Sequence, residues 1–322
     1  MFKFKPYTET ELTELNKFTV YLNYLGSLSS HIDGNLHRQL DSYRLVTTST
    51  KFLSIKSKPN HSEIEKIEKL LRNAWFTEIQ LNFNRDNPEF AKYSNHWASV
   101  QVYYSIYLAL RSLFISMKLI TSHSHSPTLK QISDEIENHS ALFVSPWNIT
   151  CTGDTKGNSH SYINLPSDVK IGKISPLANS NNFFDSYALF LKSTRKKQIE
   201  EKRKEWLKRS KRKKQPNAAR GKMIAGLSPT TVFDCLYRLR IRSNYQDAEP
   251  FLITIENDDR AARFNYSLRN ITHHLLQQVE LLIARHLGKK QYDVIISRFT
   301  KTGDFVKHSD VKNRWEFLSS LF

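Results

Sequence analysis

The sequence predicts an all-α protein, and three observations lead there. Apolar residues recur at three- and four-residue steps through most of the chain, which at about 100° per residue collects them on one helical face. Helix-start signals precede several of these stretches, as at Asn60-His-Ser62 and Ser228-Pro229. Strand-like alternation is confined to short pieces between about 142 and 182. About seven to nine helices are expected on this pattern.

The first helix is predicted from about Glu9 to Gly26, followed by a polar segment with Ser29-Ser30 and Asp33-Gly34. His31 and His37 in that segment have no carboxylate or cysteine companions at ligand spacing, so no metal is expected there. The next helix starts near Asn60, with Ser62 and Glu65 read as a capping box and Ile64, Ile67, Leu70, Leu71, Trp75 and Ile79 as its packing face. Asn84-Arg-Asp-Asn-Pro88 breaks the chain, and a long helix is predicted from Pro88 to about Thr121. Its centre is apolar nearly all round, the pattern of a buried helix. Tyr103, Tyr104, Tyr107 and Arg111 interrupt that surface with groups that need hydrogen-bond partners, either within the core or at a site.

Ser122-His-Ser-His-Ser-Pro127 reads as a polar turn before a short helix from Ser126 to His139, with Leu129, Ile132 and Ile136 on one face. From about Leu142 to Asn182 glycines and prolines dominate, and loops with a small hairpin are predicted, using pieces such as Tyr162-Ile163-Asn-Leu165 and Val169-Lys-Ile171. Thr152-Gly153-Asp154-Thr155-Lys156-Gly157 lacks the Gly-Lys-Ser/Thr ending of a phosphate loop, so nucleotide hydrolysis is not expected there.

Helix resumes at Phe183 and becomes strongly basic. Lys192 through Lys214 holds thirteen lysines and arginines against Glu200, Glu201 and Glu205, which is +10 of the chain's formal +17. Only Ile199, Trp206 and Leu207 are apolar within it, so a protruding basic helix is predicted, fraying into a flexible Lys211-Arg-Lys-Lys-Gln-Pro216-Asn-Ala-Ala219 segment. The candidate phosphate-contacting residues are Arg195, Lys196, Lys197, Lys202, Arg203, Lys204, Lys208, Arg209, Lys211, Arg212, Lys213 and Lys214. Such contacts would neutralise backbone charge without reading sequence. Further helices are predicted at Thr230 to about Arg242, across Phe264 to Leu287, at Tyr292 to Phe299 and at about Asp310 to Phe322, with Gly288 turning the chain.

The balance of 48 lysines and arginines against 31 acids favours a polyanionic partner, with nucleic acid ahead of an acidic membrane. Two cysteines, Cys151 and Cys235, exclude a disulfide framework and a cysteine-rich zinc site, which points to a reducing, cytoplasmic setting. No apolar run reaches the roughly 20 residues of a membrane span, and the first residues lack the apolar stretch of a secretory signal.

The helix from Phe264 carries Phe264, Leu268, Ile271, Leu275, Val279 and Leu282 as its core stripe. Within less than two turns it also holds Arg269, Asn270, His273 and His274, a permanent cation beside side chains that exchange protons near neutrality. On a helical wheel His274 borders the core with Asn270 one turn before it, while Arg269 lies about 140° away. Bringing Arg269 and His274 together needs a wrapped arginine or a second copy of this helix across a two-fold axis. His273 lies nearly opposite the stripe and reads as a solvated imidazole.

Arg269-Asn270-Ile-Thr-His-His274 has the order arginine, polar residue, three variable residues, histidine, and resembles the signature of the HEPN superfamily of helical ribonucleases. Val102-Tyr103-Tyr104-Ser-Ile-Tyr107-Leu-Ala-Leu-Arg111-Ser-Leu-Phe114 resembles the aromatic-rich early core helix of those domains, and Arg242-Ser-Asn-Tyr245-Gln-Asp-Ala-Glu249-Pro resembles the segment before their signature helix. The resemblance covers about residues 88 to 300. It implies an up-and-down helical bundle over 88–322, preceded by an N-terminal helical extension at 1–87 and interrupted by a loop-rich, basic insertion at about 142–222. It further implies a metal-independent endoribonuclease without cofactors, active as a homodimer through the signature helix, with a regulatory protein partner and a toxin or antiviral defence role as candidate features.

In that scheme Arg269 binds the scissile phosphate. His274 acts as base on the ribose 2′-hydroxyl or as acid on the leaving oxygen, and Asn270 orients His274 or the phosphate. His273, Arg111, Tyr104, Arg242 and Tyr245 are candidate supporting residues. The alternative expectation is a non-catalytic RNA-binding or assembly protein that uses the same bundle and basic arm.

Overall fold

Helix α10, Asp258–Leu287, forms the axis on which the rest of the chain packs. The computed structural model describes residues 8–56, 58–85, 88–119, 122–178, 180, 182–246, 250–251 and 258–322. Among them are twelve α-helices and one two-stranded sheet, so the fold is mostly helical, as predicted. No described helix is long and apolar enough to cross a membrane.

The predicted stripe of α10 is fully interior, with Phe264, Leu268, Ile271, Leu275, Val279 and Leu282 all buried. Leu276, Leu281 and Ile283 lie off that stripe and are buried as well, because neighbours enclose the helix on every side. At ~1.5–3 kcal/mol for each large apolar side chain removed from water, this one helix anchors much of the core. Helix α5, Pro88–Ser116, lies along α10 and along α4, His61–Asn82. Ser105 Oγ donates to the Ala74 carbonyl and Ser112 Oγ to the Ile67 carbonyl, which sets α4 and α5 antiparallel and in close contact. The N-terminal cap of α4 is Asn60 with Glu63, each side chain accepting from the other's backbone N–H. Ser62 and Glu65, read as the capping box, are already inside the helix.

The N-terminal region is longer and more helical than predicted. Helix α1 runs Glu9–Gly34, through Gly26, because Leu25, Leu28 and Ile32 carry its buried face onward and outweigh the ~1 kcal/mol cost of an internal glycine. It lies against α10 through Phe18 on Phe264. Of the stretch read as a polar segment, Ser29-Ser30 and Asp33-Gly34 belong to the end of α1, and helices α2, Leu36–Thr48, and α3, Thr50–Leu53, follow. The expected extension at 1–87 thus shares one continuous core with the remainder of the chain.

Helix α6, His125–Asn138, precedes the hairpin of β1, Thr150–Asp154, and β2, Ser159–Ile163, paired antiparallel from Thr150 with Ile163 to Asp154 with Ser159. The expected small hairpin is this one; of the strand-like pieces named above, Tyr162-Ile163 belongs to β2 and Val169–Ile171 lies outside both strands. Gly153 takes a φ of 76°, and a Cβ there would lie 2.4 Å from the Ser159 carbonyl oxygen, so the turn needs glycine. Helix α7 spans Phe183–Ser210 without fraying, and Lys211 turns the chain in the left-handed conformation. The end of the segment read as flexible, Asn217-Ala-Ala219, is the first turn of α8, Asn217–Ala225, which is tied back to the hairpin by two hydrogen bonds from Arg220 to Asp154. Helix α9, Val232–Ile241, a π-turn at Arg242–Gln246, α11, Lys289–Thr300, and α12, Val311–Ser319, complete the fold.

Candidate nucleic-acid interface

The signature residues of α10 point into three different surroundings. Asn270 turns toward α1, where its Nδ2 donates to Ser29 Oγ at 2.9 Å and to Asp33 Oδ1 at 3.0 Å. His274, one turn on, is 7% exposed, and its Nδ1 lies 2.8 Å from Gln39 Nε2 on α2, so the imidazole accepts that hydrogen bond. Burial, reinforced by the neighbouring His273 and by Arg314, lowers the His274 pKa from 6.5 to about 3. A ring so placed is neutral at ordinary pH and lies beneath α2.

Arg269 leaves the helix on another bearing, donating from Nε to Asn265 Oδ1 at 3.1 Å with its guanidinium over the Tyr266 ring. The divergence is that of the helical wheel, about 140° between positions five residues apart. Between Ile271 and Ala284 every α10 side chain except half-buried His273 is buried, so the expected homodimer through this helix has no free face there. The corner of α1 and α2 and the helices α4 and α5 occupy the space that a second copy would need.

His273, read as a solvated imidazole, is half-buried with Nδ1 3.7 Å from Asp310 Oδ2. That contact is one edge of a polar network that no local pattern in the chain foretells. Arg314 is fully buried and bonded to both oxygens of Glu78 and both of Glu280, while Trp75 Nε1 donates to Glu280. Burial pushes the Glu78 pKa up against the pull of Arg314. Burial also opposes ionisation of Asp310, but His273, Arg85 and Arg314 outweigh it and its carboxyl is held below the usual range. Glu78, His273 and Asp310 bring possible ligand atoms within 4.8 Å of one another. Arg314 already spans Glu78, and Asn82 and Arg85 already donate to Asp310, so the cluster is built as a closed ion-pair network.

The supporting residues are dispersed too. Tyr104 accepts from Arg240, Arg111 meets His123 Nδ1, and Arg242 donates to the Tyr21 hydroxyl. None of these described contacts reaches Arg269 or His274. The Tyr245 side chain lies outside the described residues. Tyr103 and Tyr107 bond to His125 and His123, so the polar turn before α6 closes over the aromatic surface of α5.

The basic part of α7 divides into two groups. Arg195, a candidate phosphate contact, is instead 1% exposed, donating to the Gly153 and Ser228 carbonyls. It lies on the stripe of Tyr187, Leu191 and Ile199, a spacing that marks it as interior. Lys196, Arg203, Lys204, Lys208, Arg209, Lys211, Arg212, Lys213 and Lys214 are exposed, and none makes a hydrogen bond or ion pair among the described residues. Lys202 pairs with Glu205 at 2.9 Å, and Lys197 is half-buried beside a cleft.

That cleft, of about 610 Å³, lies between α6, α7, α9 and the loop Gly226–Pro229. At its floor Asp234 accepts from Thr231 and Gln198. Burial raises the Asp234 pKa to about 6, against the pull of those hydrogen bonds. Comparison with family models, with curated proteins and with solved structures returns no match.

Proposed function

We propose that this protein binds RNA through the exposed face of α7 and the turn that follows it, as a non-catalytic RNA-binding or assembly protein. The observation that carries this is a set of nine exposed cations, Lys196 and those from Arg203 to Lys214, that make no hydrogen bond or ion pair among the described residues. Surface cations in a fold that has only structural use for them are usually interleaved with acids. Here they crowd onto the exposed side of α7 and the turn after it and outnumber Glu200, Glu201 and Glu205 there, which matches a polyphosphate backbone and gives affinity without sequence readout. A variant with Lys208, Arg209, Lys211 and Arg212 replaced by glutamate, compared with wild type on labelled RNA, tests it. Loss of binding with an unchanged circular dichroism spectrum is the expected result, and unchanged affinity would end the proposal.

The second reading is the metal-independent HEPN-type endoribonuclease. What favours it is that Arg269, Asn270 and His274 keep the order of the signature on one continuous helix, with Asn270 one turn before His274. It requires the cover formed by α1 and α2 to lift, so that Arg269 and His274 can meet one phosphate. RNA incubated in chelator with wild type, His274→Ala and Arg269→Ala separates the two. Cleavage by wild type alone, leaving 2′,3′-cyclic phosphate ends, selects the nuclease; binding without cleavage by all three selects the binding protein.

A further inference from the structure

The cleft beside α7 has the size and lining of a site for one small planar anion. Ligand sites commonly span ~300–1,000 Å³, and this one measures about 610 Å³. Its walls are part apolar, from Leu129, Leu227, Tyr237 and Ile241, and part charged, with the cations Lys130, Lys197, Lys202, Arg238 and Arg242 outnumbering the acids Glu201, Glu205 and Asp234. Flat aromatic bodies stack on tyrosine rings and on guanidinium planes, and Lys197 is left to meet a phosphate, since it makes no hydrogen bond or ion pair among the described residues.

The cleft is also preformed. Arg195 clamps the Ser228 carbonyl, Ser228 Oγ donates to Asp134, and Thr230 exchanges backbone hydrogen bonds with Cys151, so the loop forming one wall is fixed at several points. Gln198 bridges Thr230 and Asp234 across the floor. Such a wall requires little ordering when a ligand enters.

Position decides which planar anion it takes. Lys197, Glu201, Lys202 and Glu205 line the cleft from α7, the helix whose remaining exposed surface carries the basic run, so the mouth opens along the same helix. We propose that the cleft accepts one unstacked nucleotide of a single-stranded RNA whose backbone follows the α7 face. This rests on the RNA-binding reading and narrows it to a substrate class. A base within a duplex cannot reach the cleft without unpairing and unstacking, whereas a single strand can splay a base into it at little cost.

The test compares a twenty-four-nucleotide single strand carrying one 2-aminopurine with a blunt, GC-rich duplex of twelve base pairs, which has about the same number of phosphates. It uses the full chain as wild type, as Leu227→Trp, which fills the cleft, as Lys197→Ala, which removes the cation at its mouth, and as the four-residue arm variant above. Wild type is expected to bind the single strand about tenfold or more tighter than the duplex, the usual scale for a stacked base, and to change the 2-aminopurine emission. Leu227→Trp and Lys197→Ala are each expected to remove most of that preference while the duplex still binds. Should Leu227→Trp fail to fold, Lys197→Ala alone decides. Equal binding of both RNAs by wild type, or a preference untouched by the cleft variants, overturns the cleft assignment, and the RNA-binding reading survives if the arm variant still loses both RNAs. An arm variant that binds both as wild type does, or a wild type that binds neither, overturns the RNA-binding reading and this inference with it.

Discussion

Mild acid should weaken this fold through His274, and the direction follows from its surroundings. The ring is buried beneath Gln39 with His273 and Arg314 nearby, so the folded protein resists protonating it until about pH 3, while the unfolded chain takes up that proton near 6.5. Between those values the unfolded state binds more protons, so the stability His274 supports is complete above 6.5 and is lost as pH falls through that window. At about pH 5 the unfolded state has gained roughly 1.5 pH units of protonation free energy, which at 1.36 kcal/mol per unit is ~2 kcal/mol.

Other groups titrate in the same range. His286, lowered to about 4 by burial and Arg285, adds a loss of the same sign. Asp234, raised to about 6 by burial, acts oppositely, because the folded protein takes its proton first. The comparison is therefore wild type against His274→Gln, in which those contributions cancel. Urea unfolding near pH 8 and near pH 5 should show wild type losing ~2 kcal/mol more than the variant. An equal loss in both proteins would mean that His274 is not held neutral in the interior, and the burial argument fails.

Two further outcomes follow from the packing. Arg195→Met should lower unfolding stability by ~2–4 kcal/mol because two interior carbonyls lose their donor, whereas Lys196→Ala next to it should stay within ~0.5 kcal/mol; similar values for both would contradict the division of α7. Arg314→Met should cost ~3–5 kcal/mol in the same assay by leaving Glu78 and Glu280 buried without their cation, and a loss under ~1 kcal/mol would show that the network is not closed.

The stripe of α10 and the enclosed centre of α5 were legible because burial there follows local periodicity, and each residue type agrees with its position. The cover over His274 was not. Helix α2 buries little beyond Tyr43, Val46 and Thr47, so its stretch reads as polar, and Gln39 reaches His274 across 235 positions of sequence. The same limit hid Arg314 and Glu78, 236 positions apart, because ion pairs leave no period in the chain. Arg195 was hidden by its neighbours: inside a run of cations its charge looks like theirs, and only its phase with Leu191 and Ile199 distinguishes it. The motif order Arg269, Asn270, His274 is intact in the sequence, yet a motif specifies spacing and not direction. On one straight helix that spacing separates the guanidinium from the imidazole.

The most direct measurement is the salt dependence of RNA affinity. If about six of the exposed cations meet phosphates of a single strand, the slope of log affinity against log salt is about −4, at roughly −0.7 per contact. Replacing Lys208, Arg209, Lys211 and Arg212 with alanine should bring that slope to about −1.4, with two contacts remaining. Equal slopes for the two proteins, or an affinity indifferent to salt, would contradict binding through the α7 arm.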